Sequence, residues 1–160
     1  MDKRINFIEK GYNALKPMFA LGAYLANSPI EQVLLDLIDF RVSQINGCAY
    51  CLDMHSKDLW ARGETEQRLY VLDAWREAPF YSDRERAALA WAEALTIIPN
   101  GGVTDDIYAQ VRAQFSDEEI IDLTMKVLGI NMWNRLNIAF GSTPGTYKVG
   151  EHARHLQLKS

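Results

Sequence analysis

Apolar residues return every three or four positions through most of the chain and almost never alternate singly, so the pattern predicts helices and no convincing strand. Helix start signals punctuate the runs. Ser28-Pro29-Ile30-Glu31 has the form of a capping box with proline at the first helical position, opening a run through Val33, Leu34, Leu37, Ile38 and Val42 to Ile45. Asn46-Gly47 ends or sharply bends that run. The next helix begins near Cys48, carries Leu52, Leu59 and Trp60, and stops at Gly63. Thr65 caps a short helix through Leu69, Leu72 and Trp75 that must end before Pro79. A second capping box, Ser82-Asp83-Arg84-Glu85, opens a helix through Leu89, Trp91 and Leu95, and Thr104 caps a short one reaching Val111 and Phe115. The third box, Ser116-Asp117-Glu118-Glu119, opens the longest periodic segment, from Ile120 through Leu123, Val127, Ile130 and Trp133 toward Phe140. A helix from about Ile5 to Ala26 precedes all of these, kinked or interrupted at Pro17. After Gly141 the chain reads as coil with at most a short helix holding His152 and His155, both expected in water.

About seven helices joined by short loops make an all-α bundle, with no repeat or linker to divide residues 1-160 into more than one domain. A chain of 160 residues buries roughly 70% of the surface it exposes when unfolded, enough for a core without staples. Trp60, Trp75, Trp91 and Trp133 all fall at apolar helical positions, where packing in the core or between subunits is expected. That much apolar surface predicts a homo-oligomer. Arg41 and Arg135 are expected to pair with Asp and Glu inside the bundle.

The net charge of −4, with acidic and basic residues interspersed, leaves no electrostatic footprint for nucleic acid. No run approaches the ~18 apolar residues that span a bilayer, and no signal-cleavage design is evident. A cytoplasmic protein is expected, in a compartment where ordinary thiols stay reduced. There the two cysteines of Cys48-Ala49-Tyr50-Cys51 read as catalytic or metal-binding before they read as a permanent staple.

At helical spacing Cys48 and Cys51 stand at i and i+3, with His55 at i+4 from the second, so all three share one stripe. Asn46-Gly47 puts both cysteines near the first turn of a helix, where unpaired N–H groups and the helix dipole favour a thiolate. One thiolate can then attack an electron-accepting substrate and the other can attack the sulfur adduct, closing a disulfide. His55 can take the thiol proton. If the preceding helix packs antiparallel across the turn, Asp36 or Asp39 lies beside His55 and orients it. A metal site built from Cys48, Cys51, His55 and Asp36 is the rival use, but three ligands on one helix stripe suit a redox pair better than a closed tetrahedral cage.

The stretch from Arg41 through Cys48-Ala49-Tyr50-Cys51 to His55 closely resembles the core motif of the AhpD-like alkylhydroperoxidases within the carboxymuconolactone decarboxylase superfamily. The resemblance extends to Glu85-Arg86-Ala87-Ala88-Leu89-Ala90-Trp91 and to Asn131-Met132-Trp133-Asn134-Arg135-Leu136. It implies an all-helical homo-oligomer that reduces hydroperoxides without a metal or organic cofactor. An external dithiol, thioredoxin-like or on a lipoyl domain, would regenerate it. Carried over, Cys51 is the thiol oxidised to sulfenic acid, Cys48 resolves it and supplies a proton, His55 matches the family histidine, and the relay glutamate falls at Asp36. Two positions depart from the pattern. Asp36 is one methylene shorter than glutamate, and Tyr50 stands where the best-studied members place a histidine; a phenol is a poor base near neutral pH. The superfamily's lactone decarboxylases lack the paired cysteines, so the pair argues against that activity. A thiol-based redox sensor, without peroxidase turnover, is the non-catalytic alternative.

Overall fold

The computed structural model describes residues 4–152 and contains no strand among them. Eight α-helices follow in order: α1 (Phe7–Lys10), α2 (Tyr12–Leu25), α3 (Gln32–Asn46), α4 (Ala49–Ala61), α5 (Glu66–Tyr70), α6 (Asp83–Thr96), α7 (Asp105–Gln114) and α8 (Asp117–Phe140). Single 3₁₀ turns occur at Leu72–Ala74 and Ile98–Asn100.

The local start signals at Thr65, Ser82, Thr104 and Ser116 all act as read. Each hydroxyl accepts from the N–H three residues on, and Ser82 and Ser116 complete reciprocal boxes with Glu85 and Glu119. Three expectations need correction. Ser28 does not open α3; its hydroxyl donates at 2.6 Å to Asp122 Oδ2 on α8, and α3 starts after Glu31 with no side-chain cap. A buried carboxylate that must be paired outcompetes a local cap. Tyr24 donates to the other Asp122 oxygen at 2.8 Å, so the same residue secures the end of α2. The N-terminal helix breaks at Gly11 rather than at Pro17, which lies within α2. Gly11 is where only glycine fits, because a Cβ there would stand 2.6 Å from the Phe7 carbonyl oxygen. The helix opened by Thr65 also stops early, and Leu72 and Trp75 reach the core from the 3₁₀ turn and its end.

Helix α3 runs through the middle of the molecule and packs against α4, α6 and α8. It is buried almost all round, with Leu35, Leu37, Ile38 and Val42 among its inaccessible side chains. Arg41 is buried as well, bonded to Glu93, Asp73 and Gln44, while Glu93 also accepts from the Trp75 indole. That is the structural pairing expected of Arg41. Arg135 bonds instead to Asn131. Trp75 and Trp91 are in the core, Trp133 packs on Phe19, and Trp60 is 64% exposed.

Candidate functional site

A chain reversal between α3 and α4 presents the two cysteines. Gly47 adopts φ 66°, ψ 34°, the left-handed conformation that favours glycine. Its N–H reaches the Gln44 carbonyl while the Cys48 N–H reaches Ser43, the two bonds of a Schellman ending. The turn is fastened to α8 by side-chain amides. Asn46 donates to the Asn131 and Asn134 carbonyl oxygens at 3.0 and 2.9 Å, and Asn134 donates to the Ser43 hydroxyl at 3.0 Å.

Cys48 is the residue that caps α4, its sulfur accepting from the Cys51 N–H at 3.4 Å. The sulfurs of Cys48 and Cys51 are joined in a disulfide, with Cα atoms 5.3 Å apart. Both residues are buried. Asn137 Nδ2 donates to Cys51 Sγ at 3.5 Å and to the Trp133 carbonyl at 2.9 Å, so the amide is held against the sulfur. An open cleft of about 180 Å³ leads to this point, bordered by Cys48, Tyr50, Asn137, Ile138 and Ser142. Solvent therefore approaches from the Cys48 side.

One turn beyond Cys51, His55 is buried between α3 and α8. Its Nδ1 faces Asp39 Oδ2 at 3.7 Å, and Lys126 Nζ lies 2.6 Å from that same oxygen. His55 Nε2 is buried with no hydrogen-bond partner. Burial, reinforced by the Lys126 charge, pushes the imidazole down to about 3, so it is neutral near pH 7. Burial raises the Asp39 carboxyl, opposed by Lys126. A neutral imidazole keeps one N–H, and the nitrogen facing a carboxylate is the one that retains it. Nε2 is then the bare acceptor.

Asp36 lies one turn earlier on α3. Its Oδ2 sits 2.6 Å from Arg62 Nε as an ion pair, though without the alignment of a hydrogen bond. Burial, then the Asp39 charge, raises its carboxyl. Of the two acids expected beside His55, Asp39 makes the direct approach and Asp36 turns to Arg62. Tyr50 is not free to act alone: its hydroxyl lies 3.1 Å from His152 Nε2. His152, expected in water, is exposed but stacks on Tyr147 with ring centres 5.2 Å apart. Tyr147 is anchored in turn by its hydroxyl, which reaches both Asp58 oxygens at 2.9 Å. His155 lies outside the described residues. Among the described residues no cluster of three His, Cys, Asp or Glu side chains is arranged to hold a metal.

Sequence reasoning missed Asn137 and Lys126. Both lie on α8 among many other polar residues, and nothing in their spacing singles them out. No described helix is long and apolar enough to cross a membrane.

Comparison with known proteins places this architecture. Residues 13–94 match the carboxymuconolactone decarboxylase family. The uncharacterized protein YdfG of Bacillus subtilis is 43% identical over 142 residues, covering 89% of this chain and 97% of that protein. The alkyl hydroperoxide reductase AhpD of Mycobacteroides abscessus is 30% identical over 93 residues, 58% of this chain and 47% of AhpD, so the chain spans about half of that relative. Among solved structures, an Agrobacterium tumefaciens protein of unknown function, related by its describers to the antioxidant defence protein AhpD, superposes with a TM-score of 0.85. The two are 40% identical, over 91% of this chain and 100% of that one. With eight helices among the described residues, a Cys-x-x-Cys at the head of α4 and these relatives, the chain belongs to the carboxymuconolactone decarboxylase family, within its AhpD-like group.

Proposed function

We propose that the protein is a thiol peroxidase that reduces hydroperoxides through Cys51 and Cys48. The observation that carries this reading is the closed Cys48–Cys51 pair with the unpartnered Nε2 of a neutral, buried His55 one helical turn away. In the reduced protein His55 Nε2 takes the Cys51 thiol proton, and Asn137 Nδ2 together with the first turn of α4 favours the resulting thiolate. The thiolate attacks the outer peroxide oxygen; the O–O bond breaks, sulfur is oxidised to sulfenic acid, and the alkoxide leaves as alcohol with the proton held by His55. Cys48 then attacks the sulfenic sulfur, forming the S–S bond and releasing water. An external dithiol returns both cysteines to thiols, arriving over the cleft where Cys48 is the sulfur at the border. Asp39 orients His55, with Asp36 adding negative charge behind it, and Tyr50 lines the entrance.

The test supplies hydroperoxide with a thioredoxin-type or lipoyl reductant and follows steady-state peroxide loss, counting free thiols before and after mild oxidation. Two thiols should vanish together and turnover should follow reductant supply. Loss of both thiols without turnover would instead identify a redox sensor.

The same reading holds that the protein works in the cytoplasm as a homo-oligomer and binds no nucleic acid. Ile121, Leu128 and Met132 on α8 are exposed apolar side chains that a second copy would cover. Light scattering should give a mass well above the 18.2 kDa of one chain.

A further inference from the structure

Lys126 has no role in the scheme above, yet it reaches the same carboxylate oxygen that faces the proposed base. Its Nζ stands 2.6 Å from Asp39 Oδ2, with His55 Nδ1 3.7 Å away on the other side of that oxygen. We propose that Lys126 is a positioning residue that keeps His55 neutral by balancing the Asp39 charge, so that Nε2 stays free to accept the thiol proton. The purpose of this device rests on the peroxidase reading; the electrostatics do not.

The groups that face His55 come from every element around it. Asp36 and Asp39 project from α3, Lys126 from α8, Asp58 from α4 itself, and His152 from the segment after α8. Arg62 lies against Asp36, and Lys126 against Asp39. The two α3 carboxylates near the imidazole thus each have a cation, while Asp58 accepts from the Tyr147 hydroxyl. With both cations present, a proton added to His55 from solvent, with no thiolate formed beside it, would create an extra positive charge in a buried place, facing Lys126. Without Lys126, Asp39 is a buried carboxylate whose nearest available counter-charge is an imidazolium on His55. Protonation of His55 then becomes favourable and removes its accepting lone pair. The directions agree: burial comes first and Lys126 next in holding the imidazole down, with His152 the smallest contribution, while Asp36 and Asp58 pull it up. Lys126 does not touch the reacting atoms. It acts through Asp39.

The experiment is a pH titration of the imidazole nitrogens by NMR on the reduced, full-length chain labelled with ¹⁵N-histidine, with His55→Gln used to assign the signals. In wild type His55 should stay neutral from about pH 5 to 9, as its burial requires, with its proton on Nδ1. In Lys126→Met its titration should enter that window, an upward shift of about 2 pH units or more. Lys126→Arg should restore wild-type behaviour. If the methionine variant does not fold, Lys126→Gln carries the same expectation, because it removes the charge and keeps a donor. Ordinary titration of His55 in wild type, or no shift in a folded charge-removing variant, overturns the proposal. Wild type that shows the expected titration but consumes no peroxide refutes the peroxidase reading and leaves the role of Lys126 standing.

Discussion

Cys51→Ser will abolish peroxide consumption and yield no sulfenic acid, whereas Cys48→Ser will accumulate a trappable sulfenic acid on Cys51 and then stop. The difference follows from what the proposed scheme assigns to each sulfur. In the proposed scheme Cys51 supplies the attacking electron pair, being the sulfur that receives the Asn137 amide and has a histidine one turn away. Cys48, the capping residue at the cleft, supplies the second sulfur that expels water from the oxidised Cys51. A dimedone-type trap read by mass spectrometry separates the two variants within a single turnover. Sulfenic acid found on Cys48 in Cys51→Ser would reverse the two roles.

His55→Ala will slow the first step by ~10²-fold, the usual worth of a positioned general base. Rapid-mixing measurements of sulfenic acid formation, rather than steady-state rates, isolate that step from regeneration. Because burial holds the imidazole down to about 3, the wild-type rate should show no acid limb from His55 above about pH 5, so any limb there belongs to the thiol. The sign is set by the neutral form: falling pH harms the base only on approach to its depressed value. Among the carboxylates, Asp39→Asn should cost more than Asp36→Asn, since Asp39 Oδ2 faces Nδ1 while Asp36 turns to Arg62. Asp36→Glu restores the residue the family resemblance implies at this position. Unchanged or higher activity there would support a relay through Asp36, and a larger loss in Asp36→Asn than in Asp39→Asn would assign it the orienting role.

The choice between Asp36 and Asp39 shows where the sequence stops being informative. The two are three residues apart, and either can face α4 after a small rotation of α3. A half-buried helix betrays its rotation through an apolar stripe, but α3 is buried almost all round, so that signal is faint. The cysteine turn, by contrast, was legible because Asn46-Gly47 and the i, i+3, i+7 spacing are local chemistry. The same holds for the caps at Ser82, Thr104 and Ser116. Ser28 looked equally good on paper and failed because its partner, Asp122, is 94 positions away. Asn137 and Lys126 were invisible for that reason too: that they reach Cys51 and Asp39 is decided by how α8 lies across α3 and α4.

The ties that hold the cysteine turn to α8 are all uncharged: the Asn46 amide to Asn131 and Asn134, and Asn134 to Ser43. Dissolved ions screen charges and leave such amide bonds almost untouched. Ionic strength therefore leaves these ties of the cysteine turn in place. In the proposed cycle, salt will alter how often a charged reductant meets a surface of net charge −4, while the sulfurs keep their placement once it arrives. A salt series on the regeneration rate consequently reports encounter with the reductant, separately from the chemistry that follows.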